Sequence, residues 1–435
     1  MPKAIRGFVA KILLALLCCA ADFAKADFHI IRDAEIEEIL TEIAQSVFKV
    51  AGINPESAKV YVVNSDDINA FTIGGGYVFV TSGLLLRFKD PLYFLGVLCH
   101  ETGHMAARHI DRHIVALQNR SKNIMLAMLG GLLGAVAGSQ EALALALGYV
   151  VTDERFYLRY SRGDEFAADA LGASYLEKLG YGSDVMIEVF SEFQRMEILN
   201  GEASLPVYIR THPKSNDRIS ALQKRAKSKK FRASEELAKK YLRVLIKLNA
   251  YLKRFDVKTL VPTDDYSKAI YLHRIGRSKE AIDILRKLLK TNPNDFYCQE
   301  TLAQILYESG RLNESIAIYE KIYNKKVNAL IKIDYANALI EANKKLDFAI
   351  SILETAKYED YFNSDIYRLL GKAYGKKKKE GLSLLLLAQE QMLLQNYRSA
   401  YELLIVSLRK FDKKTEQPQI KKAKYFIELV KRDYL

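Results

Sequence analysis

At 435 residues, 49% hydrophobic and 27% charged, the chain is too long for one ordinary core, so two or three folded domains are expected. The net charge of +13 raises nucleic acid or an anionic membrane surface as partners, with lysine runs gathered in the second half. No nucleic-acid motif accompanies that charge, so the runs read as solvated loops between helices and nucleic acid is not an expected partner.

Residues 1–26 have the three-part form of a secretory signal: Lys3, Arg6 and Lys11, an apolar run from Ile12 to Ala21, then Ala24-Lys25-Ala26 before Asp27. The run is too short to span a bilayer, and Cys18 and Cys19 follow Leu16-Leu17 rather than the small residues of a lipid-anchoring site. Cleavage would leave Cys99 and Cys298, far apart and without a disulfide framework, which fits a bacterial periplasm.

Residues 33–50 carry apolar residues at helical spacing behind an acidic start, and predict an amphipathic helix. Lys59 to Val63 is short and β-branched, hence a strand. Asn69 to Ile73, Gly74-Gly75-Gly76 and Tyr77 to Val80 predict a hairpin. Gly74, Gly75, Gly76 and Tyr77 have two readings: an edge where an extended substrate adds as a strand, or a simple turn.

Pro91 to His104 is an apolar run ending in His100-Glu101-Thr102-Gly103-His104, the H-E-x-x-H pattern. On a helix the two histidines lie one turn apart on one face and can hold zinc, while Glu101 reaches a metal-bound water. Residues 124–151 follow, rich in Gly, Ala and Leu but broken near Gly138 to Glu141. Each half is too short to span, so a buried or membrane-touching helical hairpin is expected.

Two histidines need a third protein ligand. Glu165 and Asp169, four apart in a helix of small residues, share one face, so one can bind metal while the other orients a ligand histidine. A histidine six residues past His104 would be the other solution, but that position is Ile110; His109 and His113 fall at spacings that turn away and read as surface or structural. Downstream, His212-Pro213 with Arg218 offers groups that stabilise an oxyanion.

The second half repeats. Gly276, Gly310 and Lys344 are 34 apart, as are Ala281, Ser315 and Ala349, and Leu285, Tyr319 and Leu353, the signature of tetratricopeptide helix pairs. Leu370-Gly371 with Tyr374 starts a further unit, Ile420 to Leu435 caps the array, and residues 256–265 are the expected hinge.

Taken together, H-E-x-x-H, Glu165-x-x-x-Asp169, His212-Pro213 with Arg218 and the glycine hairpin resemble the zinc metallopeptidases of the HtpX and CAAX-prenyl-protease family. The leader in front and repeats behind are similar to its periplasmic branch. The resemblance implies one Zn2+ per chain on His100, His104 and Glu165, Glu101 as catalytic base, Asp169 as orienting partner, and His212 as a ligand in a resting state. The fold it implies is α+β: a mainly helical zincin-like (gluzincin) metallopeptidase domain with a small sheet over residues 27–255, then an all-α tetratricopeptide solenoid over 266–435.

The expected function is a metalloendopeptidase of the cell envelope that hydrolyses misfolded or stalled outer-membrane proteins, with the repeats binding clients or the assembly machinery. The alternative is a tetratricopeptide scaffold or chaperone-like adaptor with an idle protease site. Against it stands Glu101, which a structural zinc site with four closed protein ligands does not require.

Overall fold

The computed structural model describes residues 30–109, 160–200, 206–212, 216–227, 231–252, 264–324, 327–360, 363–412 and 416–434. The leader 1–26, Ile110, His113, the apolar segment 124–151, Pro213 and most of the expected hinge lie outside the described residues.

The first half is built on a helix-and-sheet layer. Strand β1 (Ile30–Ile31) leads into helix α1 (Ala34–Ala51), whose N-cap Asp33 accepts from the Glu35 and Ile36 amides. Gly52, at φ 73°, ends it in the left-handed conformation that glycine adopts without steric cost. Ile36, Leu40, Ile43, Val47 and Phe48 bury one stripe of α1 against the sheet and the next long helix.

Strands β2 (Lys59–Val63), β3 (Ala70–Gly74) and β4 (Tyr77–Thr81) complete a sheet of order β1-β2-β4-β3. β2 and β4 run parallel, while β3 and β4 form the antiparallel hairpin. This order leaves Tyr77 no open edge for the strand addition that was one of two expectations for Gly74, Gly75, Gly76 and Tyr77. β4 is paired on both sides and has no ladder groups left for an added strand, whereas among the described residues nothing pairs with the outer side of β3. Gly75 and Gly76 turn the hairpin at φ 61° and 87°. A β-carbon on Gly76 would stand 2.2 Å from the Ser57 carbonyl oxygen, so its glycine is needed by the chain's own packing.

Thr81 caps the short helix α2 (Ser82–Arg87), and Asp90 with Pro91 starts α3 (Pro91–Ala106). α3 is buried on every side from Leu92 to His104, apart from the half-buried Tyr93, and forms the axis of this half. Each of its fully buried Leu, Val or Phe side chains contributes about 1.5–3 kcal/mol relative to exposure. It lies between α4 (Arg162–Lys178) and α5 (Asp184–Asn200). The α3–α4 contact is closest where Gly103 meets Ala168 and where Gly172 meets the backbone of Cys99 and His100. α6 (Val207–Thr211), α7 (Asn216–Arg225) and α8 (Glu235–Tyr251) follow.

The second half is all helical: α9 (Asp265–Arg274), α10 (Ser278–Thr291), α11 (Phe296–Glu308), α12 (Leu312–Tyr323), α13 (Ala329–Glu341), α14 (Leu346–Glu359), α15 (Ser364–Lys376), α16 (Glu380–Leu393), α17 (Tyr397–Lys410) and α18 (Gln417–Tyr434). The starts of α10, α12, α14 and α16 keep the step of 34. Ala281, Ser315 and Ala349 are fully buried where paired helices cross, as are Leu285 and Leu353, with Tyr319 nearly so. One register detail differs from the sequence pattern. The left-handed corner held by Gly276 and Gly310 falls on Asn343 (φ 52°), not on Lys344. Asparagine tolerates that conformation better than lysine does.

The two halves meet through buried charge. Lys247 of α8 points its Nζ to Asp33 Oδ2 (3.0 Å), Glu35 Oε2 (3.2 Å) and Glu300 Oε2 of α11 (3.6 Å). The Tyr266 hydroxyl donates to Glu35 (2.6 Å), Arg32 pairs with Asp360 (2.6 Å), and Asn328 donates to the Ala34 carbonyl (3.1 Å).

Candidate metal centre

Helix α3 turns His100 and His104 to the same side, with their Nε2 atoms 3.1 Å apart. The first turn of α4 brings Glu165 against them: its Oε1 is 3.4 Å from His104 Nε2, and its Oε2 is 3.6 Å from His100 Nε2. His212, at the C-cap of α6, supplies a fourth atom, with Nδ1 3.3 Å from His100 Nε2 and 3.0 Å from Glu165 Oε1. One ligand atom from each of the four residues lies within 4.8 Å of the other three, and all four residues are buried.

This donor set fits a metal ion. Tetrahedral zinc with bonds of about 2.0–2.1 Å holds its ligand atoms about 3.3 Å from one another. Charge points the same way. Glu101, Glu165 and Asp169 are buried with one buried guanidinium, Arg218, so with all three carboxylates ionised and the histidines neutral the cluster would carry two negative charges in excess. A divalent cation offsets that excess.

The titration of each group follows from this crowding. Burial pushes His104 down to about 2 despite its contact with Glu165, so its imidazole is neutral and free to ligate. Burial acts to raise Glu165, but His212, His104 and His100 hold it well below the usual carboxylate range. Burial acts to lower His212, but the Glu165 and Glu101 carboxylates raise it. Burial also raises Glu101, with His212 and His100 pulling against it. Glu101 is fully buried; the Tyr208 side chain acts on its carboxylate as a hydrogen-bond partner, and His212 Nε2 stands 3.5 Å from its Oε1.

Behind the ligands lies an ordered shell. Asp169 Oδ1 is 2.9 Å from His100 Nδ1, which turns that ring's Nε2 inward. Arg218 donates from Nε (2.7 Å) and Nη2 (2.9 Å) to Asp169, and its Nη1 lies 2.6 Å from Glu165 Oε2. The fork expected to meet an oxyanion is therefore engaged with the two carboxylates, under the ring of Phe190 at 5.0 Å.

Of the two expectations for His109, surface or structural, the surface one does not hold. It is 2% exposed, with Nδ1 2.9 Å from His104 Nδ1. Ideal helical spacing turns residue 109 away, but α3 ends at Ala106 and Arg108 takes φ 55°, folding His109 back. Two aromatic residues also escaped the sequence reading. Tyr160 stacks on His104 with centroids 3.7 Å apart, and Tyr208 stacks on His212 at 4.6 Å. No motif marks either residue; only a stretch close to a ligand in sequence hinted at them. The turn residues Gly75 and Gly76 serve the hairpin, as described above.

Residues 31–226 match the model for Peptidase family M48, so the chain carries an M48 peptidase domain over this stretch. It is 24% identical over 331 residues to a putative beta-barrel assembly-enhancing protease of Vibrio cholerae, covering 72% of this chain and 68% of the relative. It is 21% identical over 294 residues to the beta-barrel assembly-enhancing protease of Escherichia coli K12, covering 65% of this chain and 60% of the relative. It is 32% identical over 168 residues to the mitochondrial metalloendopeptidase OMA1 of Arabidopsis thaliana, covering 38% and 31%. The chain thus spans about two thirds, or less, of the length of these curated relatives.

Proposed function

We propose that this M48 peptidase domain is a zinc-dependent metalloendopeptidase of the cell envelope, acting on misfolded or stalled outer-membrane proteins. The observation that carries the reading is the buried set of His100, His104 and Glu165 ligand atoms, with the Glu101 carboxylate beside it. His100, His104 and Glu165 would hold one zinc ion per chain. When bound, the ion would supply Lewis acidity, polarising the scissile carbonyl and lowering the pKa of a coordinated water to about 7. Glu101 would serve as the general base that takes a proton from the attacking water and, as the general acid, gives it to the leaving amine. Its burial and raised pKa suit a base that must later act as an acid.

His212 stands between the ligands and the base, with Nδ1 toward Glu165 and Nε2 toward Glu101. In this resting arrangement it would shield the base and offer the ion a further donor, and it would have to leave when substrate enters. Asp169 and Arg218 hold the ligands in place and take no proton. An extended substrate pairs with the outer side of β3, the open edge nearest α3.

The names of the Vibrio and Escherichia relatives support outer-membrane protein assembly as the setting, with the repeats binding clients or the assembly machinery. A leader over residues 1–26 would direct the chain to the periplasm. No helix among the described residues is long and apolar enough to cross a membrane. The proposed peripheral membrane contact rests on residues 124–151 alone.

Glu101→Gln tests the function. The purified variant should bind zinc at wild-type stoichiometry yet cleave neither casein nor a β-barrel substrate. Undiminished cleavage by that variant would overturn the mechanism.

A further inference from the structure

We infer that His109 and Asp164 form a positioning relay behind ligand His104, fixing the tautomer and the ring plane in which that histidine binds metal. The inference rests on His104 being a metal ligand, as proposed above.

His104 turns its Nε2 toward His100 and Glu165, and so has its Nδ1 pointing outward. A neutral imidazole that ligates through Nε2 must carry its proton on Nδ1, and a buried N–H needs an acceptor. The atom facing it is His109 Nδ1 at 2.9 Å. Only one proton fits between two ring nitrogens at that distance. If His104 keeps it, His109 Nδ1 is the acceptor, and the proton of a neutral His109 then resides on Nε2. That nitrogen lies 3.4 Å from Asp164 Oδ1. The order His104 Nδ1–H to His109 Nδ1, then His109 Nε2–H to Asp164, satisfies every one of these groups.

Each piece is held in place independently. Asp164 is the third residue of α4, and its other oxygen accepts from the Ser161 amide (3.2 Å) and hydroxyl (2.7 Å) in a capping box. It directly precedes Glu165, so one helical turn supplies a ligand and the carboxylate behind a second ligand. Tyr160 stacks on His104 at an interplanar angle of 29°, which leaves that ring little freedom to rotate. The backbone at Arg108 adopts a left-handed conformation, unfavourable for a residue with a β-carbon, in the turn that delivers His109.

The arrangement parallels the other side of the site, where His100 is backed by Asp169 and Asp169 by Arg218. The two differ in one respect. His100 faces a carboxylate directly, whereas His104 faces a neutral ring with its carboxylate one step further out. A carboxylate makes the histidine it accepts from a stronger donor to metal, so His104 is the weaker of the two histidine ligands.

The test uses the full chain and zinc alone, with competition against a chromophoric chelator as the readout. His109→Leu should bind zinc about 10–100-fold more weakly than wild type. His109→Asn, whose side-chain oxygen reaches the place of Nδ1, should recover most of that loss. A fold-stabilising role would lower the melting temperature in both variants without this difference in affinity. Wild-type affinity in folded His109→Leu, or equal losses in both variants, would overturn the relay. Should neither variant fold, nitrogen NMR of zinc-loaded wild type decides: His109 must carry its proton on Nε2 alone, and a proton on Nδ1 refutes the relay. A folded wild-type protein that takes up no zinc would instead refute the metallopeptidase reading.

Discussion

Gly103 of α3 faces Ala168 of α4 so closely that a β-carbon on residue 103 would stand 2.6 Å from the Ala168 carbonyl oxygen. This contact sits between His100 and His104 on one helix and Glu165 and Asp169 on the other. The distance between the two helices therefore sets the distance between the histidines and the carboxylates.

Gly103→Ala should accordingly damage the metal site before it damages the fold. Relieving a backbone clash in a packed interior costs about 1–3 kcal/mol. The helices would separate, carrying Glu165 away from His104. Zinc affinity, measured by chelator competition, should fall by at least tenfold while circular dichroism still reports a helical protein. Unchanged affinity would show that the interface has slack.

Asp169→Asn should weaken zinc binding by about 10–100-fold, because the amide still offers His100 an oxygen but no longer the negative charge that strengthens that ring as a donor and pairs with Arg218. Its effect on the metal-free protein should depend on pH. Burial acts to raise Asp169, but Arg218 and His100 more than reverse this, so the folded-state pKa lies below the ordinary value of 3.8. A depressed carboxyl stabilises the fold above its unfolded pKa and loses that contribution as pH falls through the folded one. The gap in urea midpoint between wild type and variant should hold steady from neutral pH down to about 5 and close only in strong acid. A gap that closes near pH 6 would contradict this order of pKa values.

His212→Ala should release the block. With Nδ1 gone from beside Glu165 and Nε2 gone from beside Glu101, hydrolysis of a short unstructured peptide should rise several-fold. Zinc affinity should fall modestly, since one of four donors is removed. A collapse of turnover with zinc still bound would instead assign His212 to oxyanion stabilisation.

Lys247→Met should loosen the two halves from each other. The variant leaves Asp33, Glu35 and Glu300 facing one another in a buried site, and removing one partner of a buried ion pair costs about 3–5 kcal/mol. Thermal melting should drop by several degrees, and limited proteolysis should cut between α8 and α9 sooner than in wild type. Equal protease resistance in both proteins would show that other contacts hold the halves together.

Much of this protein was legible from local spacing. Two histidines four apart on a helix must share a face, as must Glu165 and Asp169, because 3.6 residues make a turn whatever surrounds them. The step of 34 from Ser278 to Leu312, Leu346 and Glu380 is likewise written in the repeated small residues that let helices cross.

What spacing cannot reveal is where a local pattern stops and what lies opposite it. His109 was read on an ideal helix, but α3 ends at Ala106, and only the turn at Arg108 brings that ring to His104. A hairpin shows only its own two strands in the sequence, while the parallel pairing of β4 with β2 joins segments distant in it. Arg218, an apparent oxyanion group beside His212, is drawn instead to Asp169 and Glu165 on α4. The sequence by itself determined the chemistry available: two imidazoles, a basic carboxylate and a paired acid on helices. The tertiary structure decided which of these atoms meet, because buried charges seek partners across the fold and the chain between them leaves no periodic trace.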